Sequence, residues 1–438
     1  MTFDIVFLNA RFDDGAIHHV AVDGGLIAAI TPAGQPPVGR NTIDLDHALV
    51  VPGFVEGHVH LDTSFHGDAW RPHKPCTDGF DVRERVAFQA ENMAEAAPMD
   101  VRARNQLELC IGHGTTRMRS HVMVDGSVGL RSLETILRVR EAYKSLIEIQ
   151  LVAFPQSGIL SSPGTPQLLD EAIGLGADLV GGLDPASFDR DVEKHLDVVF
   201  GVAGRHGVDV DIHLHDMGTL GAFEIEQIAA RTRALGMEGH VAISHAYALG
   251  DIPMDRLMKI ADMLARSGVA IMTTAPGARP FPPVLALRKA SVTVFGGNDN
   301  IRDSWWPYGD GDMLRRATTI GYRSGFNVDE ELRIAFDLVT EAGAKALRLE
   351  AYGLQVGARA DFVTLQAAHV PDAVATDDLR VDGEFADAFA VPSRWRKPMV
   401  CWPRGRDLDI LSIVPGDRRV YRAAELKISL LCNITSRG

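Results

Sequence analysis

Two histidines one residue apart, His58 and His60 in Gly57-His58-Val59-His60-Leu61-Asp62, offer imidazole nitrogens to a metal ion. On an extended strand the period of two puts both rings on one face, close enough to share a cation. Alone the pair says little, because chance supplies many such pairs. Its weight comes from other segments. Asp209-Val210-Asp211-Ile212-His213-Leu214-His215-Asp216 carries Asp209, Asp211, His213 and His215 on one face and Val210, Ile212 and Leu214 on the other. Burying such a polar stripe is costly unless every group finds a partner. A hydrogen-bonded interior would meet that demand; a metal ligand at the C-terminal end explains the end placement better. Ala242-Ile243-Ser244-His245 and Val294-Phe295-Gly296-Gly297-Asn298-Asp299 also end in His or Asp. Singly, His245 reads as well as a packed interior histidine, and Asp299 as a turn residue. Four segments ending alike point to one site.

These residues need elements to bring them together. Eight candidate strands follow one another at 54–60, 115–122, 148–154, 179–184, 209–215, 240–246, 269–275 and 292–299. Amphipathic helices separate several of them. Leu257, Ile260, Ala261 and Leu264 follow three-four spacing up to Gly268, and Val192, Leu196, Val199 and Phe200 share a face before Gly207. Repeated strand–helix alternation fits a doubly wound sheet or a closed parallel barrel. The count of eight, with polar residues gathered at strand ends, favours the barrel. Before it, residues 1–51 read as short alternating strands with a hairpin signal at Asp23-Gly24-Gly25. After it, Gly353 to Leu365 is a turn-rich lead into a strand that could return to the N-terminal part. The expected division is therefore 1–51 as one part of a small β domain, 52–350 as the barrel, and 351–438 as the other part plus an irregular tail. In that tail Arg394-Trp395-Arg396-Lys397-Pro398 and Cys401-Trp402-Pro403-Arg404-Gly405-Arg406 read as irregular surface chain.

Composition narrows the function classes. The chain has 438 residues, 46% of them hydrophobic, which suits a packed catalytic domain with a companion. A formal net charge of −14 speaks against nucleic acid or an anionic membrane as partner. The four cysteines, Cys76, Cys110, Cys401 and Cys432, have no paired spacing, which argues against a disulfide framework and a thiolate zinc site. No basic leader opens the chain and no apolar run is long enough to span a bilayer, so the expected location is cytoplasmic. Asn433-Ile434-Thr435 fits a glycosylation pattern that such a location leaves unused.

Val51 to Asp62, His213 to Asp216, Ser244-His245 and Asn298-Asp299 together resemble the amidohydrolase superfamily, in the branch of cytosine deaminases and N-isopropylammelide isopropylaminohydrolases. The resemblance is carried further by Val152-Ala153-Phe154-Pro155-Gln156-Ser157-Gly158, by Asp178 to Ala186 and by Asp299 to Met313, and it covers residues 1–366. It implies a distorted (β/α)8 TIM barrel, an α/β fold, with a β-sandwich built from both chain ends. It also implies one divalent metal per subunit on His58, His60, His213 and Asp299, zinc before iron or manganese, and a homo-oligomer. Two-metal members use a modified lysine after the fourth strand; Leu179 to Asp184 contains none.

The implied reaction is hydrolysis of a C–N bond on a pyrimidine- or triazine-like N-heterocycle, with metal-activated hydroxide attacking the amine-bearing ring carbon. Asp299 would take the proton of the attacking water, and His245 would stabilise developing negative charge. His215 and Asp216 compete for the role of proton carrier to the leaving nitrogen. Gln156 would read a lactam edge, since an amide both donates and accepts. Trp305 lines the pocket or packs beneath the following helix. Asn300 and Thr63 join the substrate candidates, and Glu56, Asp62 and Asn300 are placed to orient histidines. Thr63 stands where the isopropylammelide enzymes have Lys and cytosine deaminases have Thr. Asn300 stands where cytosine deaminases have a second Asp. The substrate and the leaving amine therefore stay open. Two rivals remain: an amidase with the same metal centre, and a non-catalytic scaffold that would be expected to have lost these ligands.

Overall fold

The Asp23-Gly24-Gly25-Leu26 turn joins strands β2 (Ile17–Asp23) and β3 (Leu26–Pro32), with both glycines at positive φ, 58° and 85°. Left-handed backbone at both central positions makes a tight hairpin that glycine enters without steric cost. Strands β1 (Phe3–Arg11), β4 (Gly39–Asp44) and β5 (Leu49–Pro52) complete the N-terminal contribution. The computed structural model describes residues 2–376, 400–404 and 407–411.

From Phe54 the chain builds parallel strands β6 (Phe54–Val59), β7 (Thr115–Met123), β8 (Glu148–Phe154), β9 (Leu179–Leu183), β10 (Asp209–Leu214), β11 (Val241–His245), β12 (Ala270–Thr273) and β13 (Val294–Gly296). They pair in chain order as one eight-stranded sheet. The first and last strands meet at a single parallel bridge, Val59 to Asp299, with the Asp299 N–H donating to the His58 carbonyl at 2.7 Å. This is an eight-stranded (β/α)8 barrel, distorted where it closes, as the alternation of elements led us to expect. The helices obey the expected stripes. Val192–His206 is capped by the Asp191 carboxylate on the Lys194 N–H and ends at Gly207, φ 68°. Met254–Ser267 buries Leu257, Ile260, Ala261 and Leu264 and ends at Gly268, φ 62°.

After the barrel, β14 (Phe362–Leu365) pairs antiparallel with β5, so the return to the N-terminal part is real. The Cys401 segment corrects the expectation of irregular chain: β15 (Val400–Arg404) pairs with β14, and β16 (Asp407–Leu411) pairs with β15. The partner that orders it is the free edge of β14, remote in sequence and invisible to local periodicity. Arg394 to Pro398 and Asn433 to Thr435 lie outside the described residues. All eight strands from the two chain ends form one sheet. Its link to the barrel is ionic as well as apolar: the buried Arg117 of β7 donates to Asp361 at 2.8 Å, with Glu148 at 3.3 Å on its other side. Removing one partner of a buried pair strands the other. Asp361→Ala is expected to cost about 3 kcal/mol in urea unfolding; a loss below about 1 kcal/mol would mean that Glu148 alone satisfies the arginine.

Candidate active site

The strand ends converge on a buried group of five imidazoles and one carboxylate. The His58 ring lies 4.0 Å from His121, 4.6 Å from His213 and 5.0 Å from His245, centroid to centroid. Asp299 Oδ1 stands 3.3 Å from His60 Nε2 and 3.5 Å from His58 Nε2, and His60 Nε2 is 3.3 Å from His213 Nε2. Three overlapping sets have ligand atoms within 4.8 Å of one another: His58, His60 and Asp299; His58, His213 and His245; His58, His121 and Asp211. The nitrogens needing a partner are also here. His58 Nε2 and both ring nitrogens of His245 are buried without a hydrogen bond. Such orphans are expensive in a protein interior and fit a site that receives a cation.

Electrostatics keeps the nitrogens available. Burial, then the mutual repulsion of the imidazoles, holds His213 well below the usual histidine range. Burial does the same for His245, partly opposed by the charge of Asp299. Burial acts to raise the Asp299 carboxyl, but the histidines around it, His245 first, hold it well below the usual carboxylate range. His60 is the exception: burial acts to lower it, but its hydrogen bond to Asp299 and the charge there raise it. Imidazoles beside an ionised carboxylate are still the donor set of a divalent transition metal.

Backbone geometry explains why glycines flank the ligands. A Cβ on Gly57 would meet the Gly296 carbonyl oxygen at 2.5 Å, and one on Gly297 would meet the His58 nitrogen at 2.7 Å. Between them Glu56 ties the two strands: its carboxylate accepts from His58 N (3.2 Å), Asn298 N (2.8 Å) and Asn298 Nδ2 (2.6 Å). Burial pushes that carboxyl up to about 7 against these hydrogen bonds. Both His245 and Asp299 sit at positive φ, 72° and 61°, a conformation that costs energy and recurs at functional sites.

Glu56, Asp62 and Asn300 make no hydrogen bond to a histidine ring, although the Asp62 charge acts on His60. Glu56 holds main chain, Asp62 accepts from Met123 N at 2.9 Å, and Asn300 donates to Asp303 at 2.8 Å. The groups that do orient rings went unread in the sequence. Ser244 Oγ donates to Asp211 at 2.7 Å, so the 2.9 Å contact from His58 Nδ1 must carry the imidazole proton. That fixes the tautomer with Nε2 bare. Arg119 backs Asp211 at 3.0 Å. His121 also escaped notice, although Arg117, Arg119 and His121 alternate as a polar stripe like that of 209–215.

His215 and Asp216 part company. His215 Nδ1 pairs with the buried Asp184 at 2.8 Å, and its ring stacks on His245 at 4.6 Å. It lines both the small metal-side pocket and a neighbouring cavity of about 540 Å³. Asp216 lines neither; it accepts from Ser187 N at 3.2 Å. Its neighbour Glu224 has its carboxyl pushed up to about 9, by burial first and then by the Asp216 charge. Thr63, Gln156, Asn300 and Trp305 line the metal-side pocket, along with Gln89, whose carbonyl accepts from the Trp305 indole at 2.6 Å. Nothing in the local sequence marked Gln89.

Comparison with known proteins agrees with this geometry. Residues 41–385 match the amidohydrolase family, and the chain belongs to it. It is 33% identical to N-isopropylammelide isopropyl amidohydrolase of Pseudomonas sp. strain ADP, over 83% of this chain and 91% of that one. The crystal structure of N-isopropylammelide isopropylaminohydrolase from Burkholderia multivorans superposes with a TM-score of 0.82 at 38% identity, covering 92% of this chain and 97% of that one. That of 5-methylcytosine deaminase from Klebsiella pneumoniae liganded with phosphonocytosine gives 0.75 at 28% identity, covering 84% and 93%. The chain is thus a hydrolase of the amidohydrolase superfamily, which disposes of the scaffold reading. No helix among the described residues is long and apolar enough to cross a membrane.

Two measurements bear on this site. Ser244→Ala removes the acceptor that sets the His58 tautomer and should weaken metal binding by about tenfold to a hundredfold in competition with a chelator; unchanged affinity would dismiss the Ser244 role. For Glu224 the folded carboxyl holds its proton up to about 9, whereas its ordinary value is 4.5. The folded state therefore binds more protons across that window, and stability falls as pH rises through it. Glu224→Gln should flatten this decline in urea midpoints measured from pH 5 to about 9, and an unaltered slope would show that other groups cause it.

Proposed function

We propose that the chain hydrolyses a C–N bond at an amine-bearing carbon of a pyrimidine- or triazine-like heterocycle, releasing ammonia or an alkylamine. His58, His60, His213 and Asp299 would hold a single divalent cation, zinc before iron or manganese, which would supply Lewis-acid activation of the attacking water. The observation that carries the reading is His215 lining the pocket with Asp184 behind it, while Asp299 lines the same pocket. Support also comes from relatives named for hydrolysis of N-isopropylammelide and for deamination of 5-methylcytosine.

The chain's own groups divide the work. Asp299 accepts the proton of the water as its oxygen bonds to the ring carbon. His245, neutral and unpartnered, donates to the oxyanion that develops there. The C=N electron pair moves to the ring nitrogen, which takes the proton that Asp299 accepted. His215, as an imidazolium beside Asp184, gives its Nε2 proton to the exocyclic nitrogen and recovers one from the new hydroxyl as the C–N bond breaks. A neutral amine leaves and a ring carbonyl remains. Asp184 supports this by holding Nδ1, which turns Nε2 toward the substrate. Between His215 and Asp216, the carrier is His215, since Asp216 faces Ser187 and Glu224. Gln156 reads a lactam edge, Thr63 and Asn300 complete the polar wall, and Trp305 offers a flat face to the ring.

Release of amine from cytosine, isocytosine, creatinine, ammelide and N-alkylated triazines tests the reading. Amine release with lactams left intact is expected. Opening of lactams or hydantoins without amine release would move the assignment to an amidase. Asp299→Ala should abolish turnover in folded protein. His215→Asn should lower kcat by about 10²–10⁴-fold while Asp216→Asn changes it by less than about tenfold; the reverse order would return the proton transfer to Asp216.

A further inference from the structure

The cavity of about 540 Å³ opens outward from the metal-side pocket and shares His215, Asp299, Asn300 and Trp305 with it. Its inner part is a box of flat faces. Phe80 lies 6.2 Å from His215 and 6.3 Å from Trp305, and Tyr247 lies 5.7 Å from His215, between ring centroids. A planar ring is the natural occupant of such a box.

The outer wall carries Arg279, from the loop between β12 and the helix Val284–Lys289. Its guanidinium carbon sits 3.5 Å from the Phe80 ring centroid and 5.9 Å from that of Tyr247. Its one hydrogen bond from the side chain is a long 3.5 Å contact to the Tyr247 hydroxyl. No carboxylate pairs with it among the described residues. The other cations of this wall are engaged: Arg315 with Asp310, Arg316 with the Thr274 carbonyl and Asn298, Arg323 with the carbonyls of Pro276 and Arg279. The acidic groups are occupied too, Asp299 by His58 and His60, Asp310 by Arg315, and Asp312 by His113 and the helix start at Leu314. Arg323 grips both ends of the 276–279 loop and prolines follow at 280, 282 and 283, so the main chain is held, and stacking on Phe80 places the guanidinium. In a chain of net charge −14, a fixed arginine without a carboxylate, facing a ligand cavity, is an unused anion receptor.

We propose that Arg279 binds an acidic substituent, a carboxylate, on the heterocycle at an edge away from the reacting carbon, and so selects carboxylated rings over neutral ones. This rests on the heterocycle reading above and names its substrate class more narrowly. The ring would lie among Phe80, His215, Tyr247 and Trp305, with the carboxylate meeting the guanidinium in a charge-assisted pair.

Orotate and uracil, two lactam rings that differ by one carboxylate, test it by binding alone. Quenching of tryptophan fluorescence, with Trp305 and Trp306 on the cavity wall, reports occupancy in metal-loaded protein. Orotate is expected to bind at least about tenfold tighter than uracil. Arg279→Met should weaken orotate by about tenfold to a hundredfold and leave uracil within about threefold. Arg279→Lys, which keeps the charge and loses the fork, should fall between them and guards against a fold defect in the first variant. Equal affinity for the two rings, no quenching by either, or a preference that survives Arg279→Met would overturn the proposal. Amine release is scored separately. Release from neutral rings without carboxylate preference overturns this inference alone; carboxylate preference without release from any ring overturns the hydrolytic reading alone.

Discussion

The hydrogen bond from Asp299 N to the His58 carbonyl closes the barrel and joins two members of the candidate metal set in the same contact. A parallel barrel must bring its last strand against its first, and here the meeting is reduced to one bridge. Everything around it serves the close approach. Gly57 and Gly297 leave no Cβ between the strands, and Glu56 spends its carboxylate on the main chain of both. Barrel closure and the geometry of the site therefore depend on the same contacts. A substitution that loosens β6 against β13 would move His58 and Asp299 apart before it exposed any apolar core.

The second constraint is dryness. Imidazoles packed ring to ring in a buried space cannot all be charged, so burial and mutual repulsion leave His121, His213 and His245 neutral. Neutrality alone does not aim a lone pair. The Arg119–Asp211–Ser244 chain does so for His58, because the ion pair fixes the carboxylate, the carboxylate takes the hydroxyl proton, and the hydroxyl oxygen then accepts from Nδ1. Asp184 likewise fixes the orientation of the His215 ring one strand away. The polar stripe of β10 thus combines the two explanations open at the outset. Asp211 is a hydrogen-bonded interior residue, and the rings at the strand end depend on it.

Much of this was legible because it obeys short periods. Period two placed His58 with His60 and His213 with His215, and helical spacing separated the strands, so both the barrel and the gathering of strand ends could be read from local pattern. Contacts made between distant residues could not. Ser244 and Asp184 look like ordinary strand-end polar residues until their partners 186 and 31 positions away are known. His121 lay within a readable stripe, but the opposite face, Thr116, Met118, Ser120 and Val122, mixes polar with apolar and announces less plainly which side is interior. The tail segment at Val400 to Leu411 failed for a related reason, since a strand that borrows the edge of β14 needs no strong pattern of its own.

The pocket carries these constraints outward. Near the closing bridge Glu56, His58 and Asp299 are tied to neighbouring strands, which suits atoms that must be placed within tenths of an ångström, while several buried imidazole nitrogens are left free for a cation. Farther out, Phe80, Trp305 and Tyr247 offer faces that tolerate different rings, and the loop bearing Arg279 is set by main-chain contacts to Arg323. Chemistry is thus tied to barrel closure, while selectivity is assigned to loops that can change without disturbing it. Thr63 lines the metal-side pocket, and Asn300 lines both that pocket and the outer cavity. On the proposed reading, substitutions there would alter which ring is accepted while the histidines behind them stay in place.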